Sequence, residues 1–299
     1  MLFTSASCAF NVMGNDGRPG RLQKSQAASK TNSQESWKMN FVFDLDGTIC
    51  FKGQPVSDKI LDALAELTEK GHQVIFASAR PIRDMLPVLR GDFHRHVLIG
   101  GNGSLISDRG EIVHSAAFLP EEFIEITRLI DEFEATFLID GDWDYAYTGP
   151  ADHPILQNVD PAKLADRVAL DTLASVVKVL ILTSRDHGQL AERLTQLDVY
   201  VNRHGNEEVL DISPKGIYKW SALKTLGIEK EGYVAFGNDA NDITMFENAV
   251  HTVMIGHHDQ LAPLAKESVI GDEELEQKVA EKIREVAEGH FSADRPVIV

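Results

Sequence analysis

The fold class of this chain is decided by the stretch FVFDLDGT, residues Phe41–Thr48. Its apolar start predicts a short buried strand, and Asp44 and Asp46 leave the strand end in the same direction because side chains alternate along a strand. Gly47 allows a sharp turn whose amides can face an anion. Two like charges there are costly unless a cation lies between them or they share a proton. Such oxygen ligands favour Mg²⁺, and the alternative is an acidic turn that follows a strand by chance.

Outward from this stretch, short apolar segments alternate with segments of helical period. The sequence predicts helices over Ser57–Lys70 and Ile82–Leu89 and strands over Val74–Ala77, Val97–Ile99 and Tyr233–Phe236. Strands that are apolar throughout and separated by helices are typical of a parallel sheet covered by helices. The chain is therefore predicted to have an α/β core.

The middle of the chain has a different pattern. It predicts helices over Glu121–Glu134, Pro161–Leu170 and Gly188–Leu197 among strands such as Val176–Leu182, which fits a small α+β module inserted into the first domain. The predicted organisation is a disordered tail over 1–38, core over 39–118, the inserted module over 119–203, core again over 204–290 and a second tail over 291–299.

A second polar cluster follows the predicted strand Tyr233–Phe236. The sequence Gly237–Asp242, GNDAND, supplies Asn and Asp oxygens at the carboxyl end of a strand, where ligands bind in open α/β sheets. Helix capping by Asx side chains is the alternative explanation. Paired with Asp44 and Asp46, the cluster favours a metal site.

Two further segments supply groups that suit a phosphate. Ser78-Ala79-Arg80 follows a predicted strand and offers a hydroxyl, an amide and a cation, although an N-cap serine beside a surface arginine would look the same. Lys215 and Lys219 lie close together in the sequence, and either ammonium can neutralise a transferring phosphoryl group.

Composition narrows the partners. The formal net charge of −17, from 29 basic and 46 acidic residues, argues against nucleic acid as a partner, because phosphate backbones need a basic footprint. A small phosphorylated substrate remains compatible, since one site can be locally positive. The two cysteines are too few for a disulfide framework and favour a reducing cytoplasm. No apolar run approaches bilayer length, so we expect no membrane partner.

In this order, the four segments resemble the motifs of the haloacid dehalogenase superfamily, in particular its Cof-like phosphatases. The resemblance implies that Asp44 is the nucleophile that forms an aspartyl-phosphate and that Asp46 is the acid and base. It implies that Ser78 holds the phosphoryl oxygens. The family pattern aligns Gly216-Ile217-Tyr218-Lys219, so Lys219 rather than Lys215 is the expected lysine, although Trp220 stands where the family commonly has glycine.

The resemblance also implies a cofactor and a fold. The expected Mg²⁺ ligands are Asp44, Asp46, Asn238 and Asp242. Asn238 stands where the family usually has Asp, so either the metal binds more weakly or Asp239 compensates. The expected substrate-binding residues are Ser78, Ala79, Arg80, Asn102 and Asn241. The implied fold is a Rossmann-like three-layer core with an inserted C2-type cap.

The resulting expectation is a Mg²⁺-dependent phosphohydrolase that cleaves phosphate monoesters of small metabolites such as sugar phosphates. A phosphomutase on the same scaffold and a non-catalytic ligand sensor are the alternatives, although intact Asp44, Asp46 and Lys219 count against a sensor. We expect a cytoplasmic monomer or weak homo-oligomer.

Overall fold

The computed structural model describes residues 38–203, 209–271 and 273–289. The predicted tails over 1–38 and 291–299 lie outside this range, apart from Lys38. The strands are, in chain order, β1 (Asn40–Phe43), β2 (Gln73–Ala77), β3 (Val97–Gly100), β4 (Leu105–Asp108), β5 (Glu111–Ser115), β6 (Thr136–Asp140), β7 (Tyr145–Tyr147), β8 (Lys178–Thr183), β9 (Val199–Arg203), β10 (Leu210–Pro214), β11 (Tyr233–Gly237), β12 (His251–Ile255) and β13 (Glu267–Val269).

The helices complete the elements that the structure describes. They are α1 (Asp58–Glu69), α2 (Ile82–Met85), α3 (Pro120–Glu132), α4 (His187–Leu194), α5 (Lys219–Thr225), α6 (Ile243–Phe246) and α7 (Leu275–Glu288). None of the helices in the described ranges is long and apolar enough to cross a membrane.

The larger sheet has eight strands in the order β13-β12-β11-β1-β2-β3-β4-β5. The strands from β13 to β3 run parallel, and β4 and β5 are added antiparallel at one edge. Because successive side chains point in opposite directions along each strand, the sheet has two distinct faces. On β1, Phe41 and Phe43 face a core formed with α1 and α7, whereas Val42 faces α5 and α6. The sheet therefore lies between two helical layers, which confirms the predicted three-layer α/β core.

The smaller sheet is antiparallel, with the order β7-β6-β8-β10-β9. Helices α3 and α4 cover one of its faces through a buried apolar cluster. Strand β10 belongs to this sheet although it lies beyond Arg203, the predicted end of the inserted module. We therefore propose that the cap extends to Pro214.

Two predicted helices differ in the structure. The segment Pro161–Leu170 forms no helix, because the Asp160 carboxylate accepts hydrogen bonds from the amides of Leu164 and Ala165, at 2.6 and 3.1 Å, and competes with helical bonding. The helix predicted over Ile82–Leu89 ends as α2 at Met85 and continues as a 3₁₀ turn that contains the proline.

Candidate active site

The predicted site residues lie at the carboxyl end of the larger sheet. The register pairs Phe43 of β1 with Phe236 of β11 and with Phe76 of β2. Asp44 and the residues that follow β2 and β11 therefore leave the sheet at the same edge. Helix α5 begins at Lys219, as predicted, and enters the same edge from one of the helical layers.

A buried lysine joins two of the aspartates. The Lys219 ammonium donates to Asp44 Oδ1 and Asp242 Oδ1, at 2.6 Å each. Lys219 and Asp242 are fully buried, and Asp44 is 3% exposed. Charge-assisted bonds of this length are strong, and the buried lysine is held in place by both carboxylates. The next residue, Trp220, packs on Tyr233 with the ring centroids 5.6 Å apart.

Lys219, Asp44 and Asp242 comprise one basic and two acidic groups, so their charges do not balance. Burial raises the pKa of Asp44 to about 7; the Lys219 ammonium opposes this shift and the Asp242 carboxylate adds to it. Burial would lower the pKa of Lys219, but the two carboxylates hold it above its ordinary value. One ammonium thus serves two buried carboxylates, and a second cation beside Asp44 would favour its ionised form.

The Asn238 amide lies against two oxygens of the first motif. With its nitrogen turned toward them, it donates to Asp44 Oδ2 and to the main-chain oxygen of Asp46, each at 3.0 Å. With its oxygen turned toward them, the oxygens of Asp44, Asp46 and Asn238 converge, and the Thr48 hydroxyl is the donor beside them, at 2.8 Å from Asp44 Oδ2 and 3.1 Å from Asn238 Oδ1. A cation between the three oxygens would stabilise this arrangement. Hard oxygen donors of this kind fit Mg²⁺.

These donors also explain why the site does not resemble an acidic metal cluster. In the described part of the chain, no three His, Cys, Asp or Glu side chains are grouped to hold a metal. Here one donor is a main-chain oxygen and another is an amide, so only Asp44 supplies a carboxylate.

Two of the predicted metal ligands are used differently. Both Asp242 oxygens are occupied, Oδ1 by Lys219 and Oδ2 by the amides of Asn238 and Asp239 at 2.9 and 3.2 Å. We therefore propose that Asp242 holds Lys219 rather than a metal ion. The Asp46 carboxylate points instead to Arg80, so Asp46 faces Asn238 only through its main-chain oxygen.

Asp46 and Arg80 form a bidentate ion pair. Arg80 Nε and Nη2 lie 2.7 and 2.6 Å from the two Asp46 oxygens. The Asp46 side chain is 47% exposed and that of Arg80 13%. The partly open carboxylate is accessible to a ligand at the sheet edge, and the planar guanidinium fixes its orientation.

The loop after β2 is shaped by its main chain. The Ser78 hydroxyl accepts a hydrogen bond from the Arg80 amide at 3.1 Å, and the Ser78 carbonyl accepts one from the Asn102 amide at 3.0 Å. The Ala79 carbonyl accepts a hydrogen bond from Lys178 of β8 at 2.8 Å. Ser78, Ala79 and Arg80 thus form one ordered loop next to the strand that carries Asp44.

Asn102 and Asn241 lie near each other at the side of the site. Asn241 Nδ2 is 3.4 Å from Asn102 Oδ1, and Asn102 Nδ2 is 3.3 Å from Asp211 Oδ2 on β10. Asp211 also pairs with Lys178 at 3.0 Å. These contacts connect the predicted substrate-binding residues to the smaller sheet.

Sequence reasoning assigned no role to Thr48, Lys178 or Asp211. Thr48 donates to Asp44 Oδ2 at 2.8 Å, and its place in the first motif was a usable signal. Lys178 lies on β8, far in sequence from the motifs, and Asp211 lies on β10, shortly before the segment that contains Lys219. For Lys178 and Asp211, the only signal in the sequence was a charged residue in an otherwise apolar strand.

Comparison with known proteins places the chain among hydrolases. A family model described as haloacid dehalogenase-like hydrolase matches residues 41–283. The HMP-PP phosphatase of Yersinia enterocolitica is 26% identical over 227 residues, which cover 72% of this chain and 82% of that protein.

Solved structures share the fold. A haloacid dehalogenase-like hydrolase from Bacteroides thetaiotaomicron superposes with a TM-score of 0.69 at 22% identity, covering 84% of this chain and 100% of that one. A sugar phosphatase of subclass IIB superposes with a TM-score of 0.68 at 16% identity, covering 83% and 98%. At these identities the likeness concerns the fold alone.

Replacing Gly47 by alanine should damage the site more than the fold. Gly47 has φ +82°, and an added Cβ would lie 2.2 Å from Asn238 Nδ2, so Asn238 must move away from Asp44. Gly227 is a matched control, because its φ is +77° and nothing lies within 4 Å of an added Cβ. Both alanines should cost roughly 1–2 kcal/mol of stability. Only Gly47→Ala should abolish Mg²⁺-dependent aryl phosphate hydrolysis; equal turnover in the two variants would contradict this geometry.

The two lysines should behave oppositely when each is replaced by alanine. Lys219→Ala leaves two buried carboxylates without their cation, which should lower stability by about 3–5 kcal/mol and turnover of the folded protein by ~10²–10³. Lys215 is 68% exposed and pairs with Asp198 at the surface, so Lys215→Ala should change turnover only a few-fold. Kinetics on one aryl phosphate at saturating Mg²⁺, with circular dichroism to verify folding, decide between them. Greater loss in Lys215→Ala would overturn the assignment.

Proposed function

The chain belongs to the haloacid dehalogenase-like hydrolases, and on that basis we propose that it is a Mg²⁺-dependent phosphatase that uses Asp44 as its nucleophile. The observation that carries the proposal is the Lys219 ammonium, fully buried and bonded to Asp44 and Asp242 at 2.6 Å each. A cation in this position offsets the negative charge of a phosphoryl group that approaches a carboxylate.

The proposed reaction has two steps. In the first, an Asp44 oxygen forms a bond to phosphorus while the ester P–O bond breaks, and the Asp46 carboxyl group gives its proton to the leaving oxygen. In the second, Asp46 takes a proton from water, whose oxygen attacks phosphorus and releases inorganic phosphate and the free Asp44 carboxylate. The ion pair with Arg80 orients the ionised Asp46 carboxylate at the sheet edge.

Mg²⁺ would be held by three oxygens of this chain: Asp44 Oδ2, the main-chain oxygen of Asp46 and the amide oxygen of Asn238. When bound, the ion supplies charge stabilisation that lets an anionic phosphoryl group approach a carboxylate. Thr48 bonds to the same Asp44 oxygen and fixes the carboxylate rotamer. Ser78 and Lys219 would contact the phosphoryl oxygens.

The substrate class that we propose is a phosphate monoester of a small metabolite. Relatives carry the names HMP-PP phosphatase and sugar phosphatase, both of which denote small phosphorylated compounds. We propose a cytoplasmic location on the low cysteine count. A phosphomutase is the second candidate on the same scaffold. Product analysis separates them, because a mutase returns the phosphoryl group to a sugar and releases no inorganic phosphate.

Substitution of the two aspartates should stop the reaction at different points. Asp44→Asn is nearly isosteric but has a poor nucleophile, so turnover should fall below about a tenth of wild type with no covalent phosphate. Asp46→Asn should still react with an aryl phosphate, whose leaving group needs little protonation, but should hydrolyse the intermediate slowly. Acid quench followed by mass spectrometry detects the phosphorylated chain. Phosphorylated Asp44→Asn would remove Asp44 from this role.

Asn238→Asp should tighten Mg²⁺ binding, because it replaces a neutral oxygen donor with a charged one. Chelation of divalent metal should abolish the activity of the wild type, and added Mg²⁺ should restore it. The variant should need a lower Mg²⁺ concentration for the same recovery. Asp239→Asn is the control, since Asp239 bonds to the Ala240 amide at 2.6 Å as a helix cap. If Asp239→Asn weakens Mg²⁺ binding and Asn238→Asp leaves it unchanged, Asp239 is the ligand instead.

A further inference from the structure

One face of the smaller sheet is not covered by any α-helix that the structure describes, and this face lies next to the catalytic loops. Side chains alternate along its strands, so residues beside those packed on α3 and α4 point to the other face. On β6 these are Leu138 and Asp140, and on β8 they are Lys178 and Leu180. The register places Asp140 opposite Lys178. Lys178 reaches the Ala79 carbonyl at 2.8 Å, which fixes this face over the loop after β2.

A cavity of about 140 Å³ lies between this face and the core. Its lining residues are Leu138, Asp140, Ile155, Asn158, Val159, Lys178 and Leu180 from the smaller domain and Ala79, Arg80, Pro81 and Asp84 from the core. A cavity of this size holds about one six-membered ring, since an engineered cavity of ~150 Å³ binds benzene. Most of its wall is aliphatic.

The cavity lies beside the arginine that binds the proposed acid, Asp46. Arg80 lines it and holds both oxygens of Asp46. Ala79, another lining residue, directly follows Ser78, which would hold the phosphoryl group. A leaving group that receives the Asp46 proton would lie next to this space.

The two cations that line the cavity are already neutralised. Arg80 is bonded to both oxygens of Asp46. The Lys178 ammonium lies 3.0 Å from Asp211. Each of these two cations thus already has a carboxylate partner of this chain.

Two acidic side chains next to the cavity, Asp140 and Asp84, share one buried arginine. Fully buried Arg83 is the cation that serves both Asp140, at 2.5 Å, and Asp84, at 3.5 Å. Among the described residues, no donor reaches the second oxygen of Asp140, a residue 1% exposed that lines the cavity. Burial raises the pKa of Asp84 to about 6, and the Asp140 carboxylate adds to this shift while Arg83 opposes it. Asp140 and Asp84 therefore share Arg83 as their common cation.

We propose that the cavity selects phosphate monoesters whose leaving group is a single ring or similar compact unit that carries a cationic or hydrogen-bond-donating substituent. The inference rests on the proposed phosphatase function. The aliphatic wall binds the body of the leaving group, and Asp140 binds its donor or cation. A leaving group with a second anion, such as a carboxylate or phosphate, is repelled.

Three substrates of matched shape test this selection. They are 4-(aminomethyl)benzyl phosphate, benzyl phosphate and 4-carboxybenzyl phosphate, which differ in charge at the far end of the ring. We expect kcat/KM to fall in that order, by about tenfold or more between the first and the last, as one partly buried charge contact would give. Equal values for the three, or a preference for the carboxylate, would overturn the proposal.

Substitutions of single residues test whether the cavity causes this charge preference. Asp140→Asn should reduce the ratio of the aminomethyl to the carboxy substrate toward one, whereas Asp142→Asn, an exposed acid two residues away, should leave it unchanged. Asn158→Asp adds a carboxylate at the exposed rim without touching the ion pairs of Arg83 and should raise the ratio. An unchanged ratio in Asn158→Asp, or in folded Asp140→Asn, would contradict the role of this wall.

Acetyl phosphate separates this inference from the function on which it rests. Its small leaving group does not fill the cavity, so the wild type and the control variant Asp142→Asn should hydrolyse it at similar rates. No hydrolysis of any of the four compounds by the wild type would remove the proposed function itself. Hydrolysis of all of them without a charge preference would remove only the proposed selection.

Discussion

The site depends on one buried ammonium between two carboxylates. Lys219 has no exposed surface, and its bonds to Asp44 and Asp242 link helix α5 to the ends of β1 and β11. Removing one partner of a buried ion pair typically costs about 3–5 kcal/mol, because the remaining charges stay buried without compensation. The same lysine that would neutralise a phosphoryl group therefore also determines where the nucleophile stands. Structure and proposed chemistry share this contact.

A second constraint holds the smaller sheet over that site. Arg83 of α2 is fully buried and reaches Asp140 and the Trp143 carbonyl, at 2.5 and 2.7 Å. Lys178 joins the smaller sheet to the loop after β2. Buried charges are costly unless they are paired, so these contacts favour one position of the cap relative to the core. That position creates the cavity beside Asp46.

Local patterns predicted most of the core and much of the site. The apolar strands and helical periods predicted the layered α/β fold. Asp44 and Asn238 follow strand ends, and Lys219 begins a helix that reaches the same edge of the sheet. The prediction failed where a side chain competed with the helix, as Asp160 does in the segment Pro161–Leu170. It also did not show that the Asp242 oxygens bond to Lys219 and two amides.

The sequence by itself determined which chemistry the chain can carry, because carboxylates, a lysine and turn glycines at strand ends leave a signature within a few residues. The tertiary structure alone decided which oxygen each group presents. Asp46 presents its main-chain oxygen to Asn238 because Arg80 binds its carboxylate. The tertiary structure also decided the lining of the leaving-group cavity. Asp140 and Asp84 are far apart in sequence, and they meet at Arg83 because the cap sheet packs its helix-free face on the core.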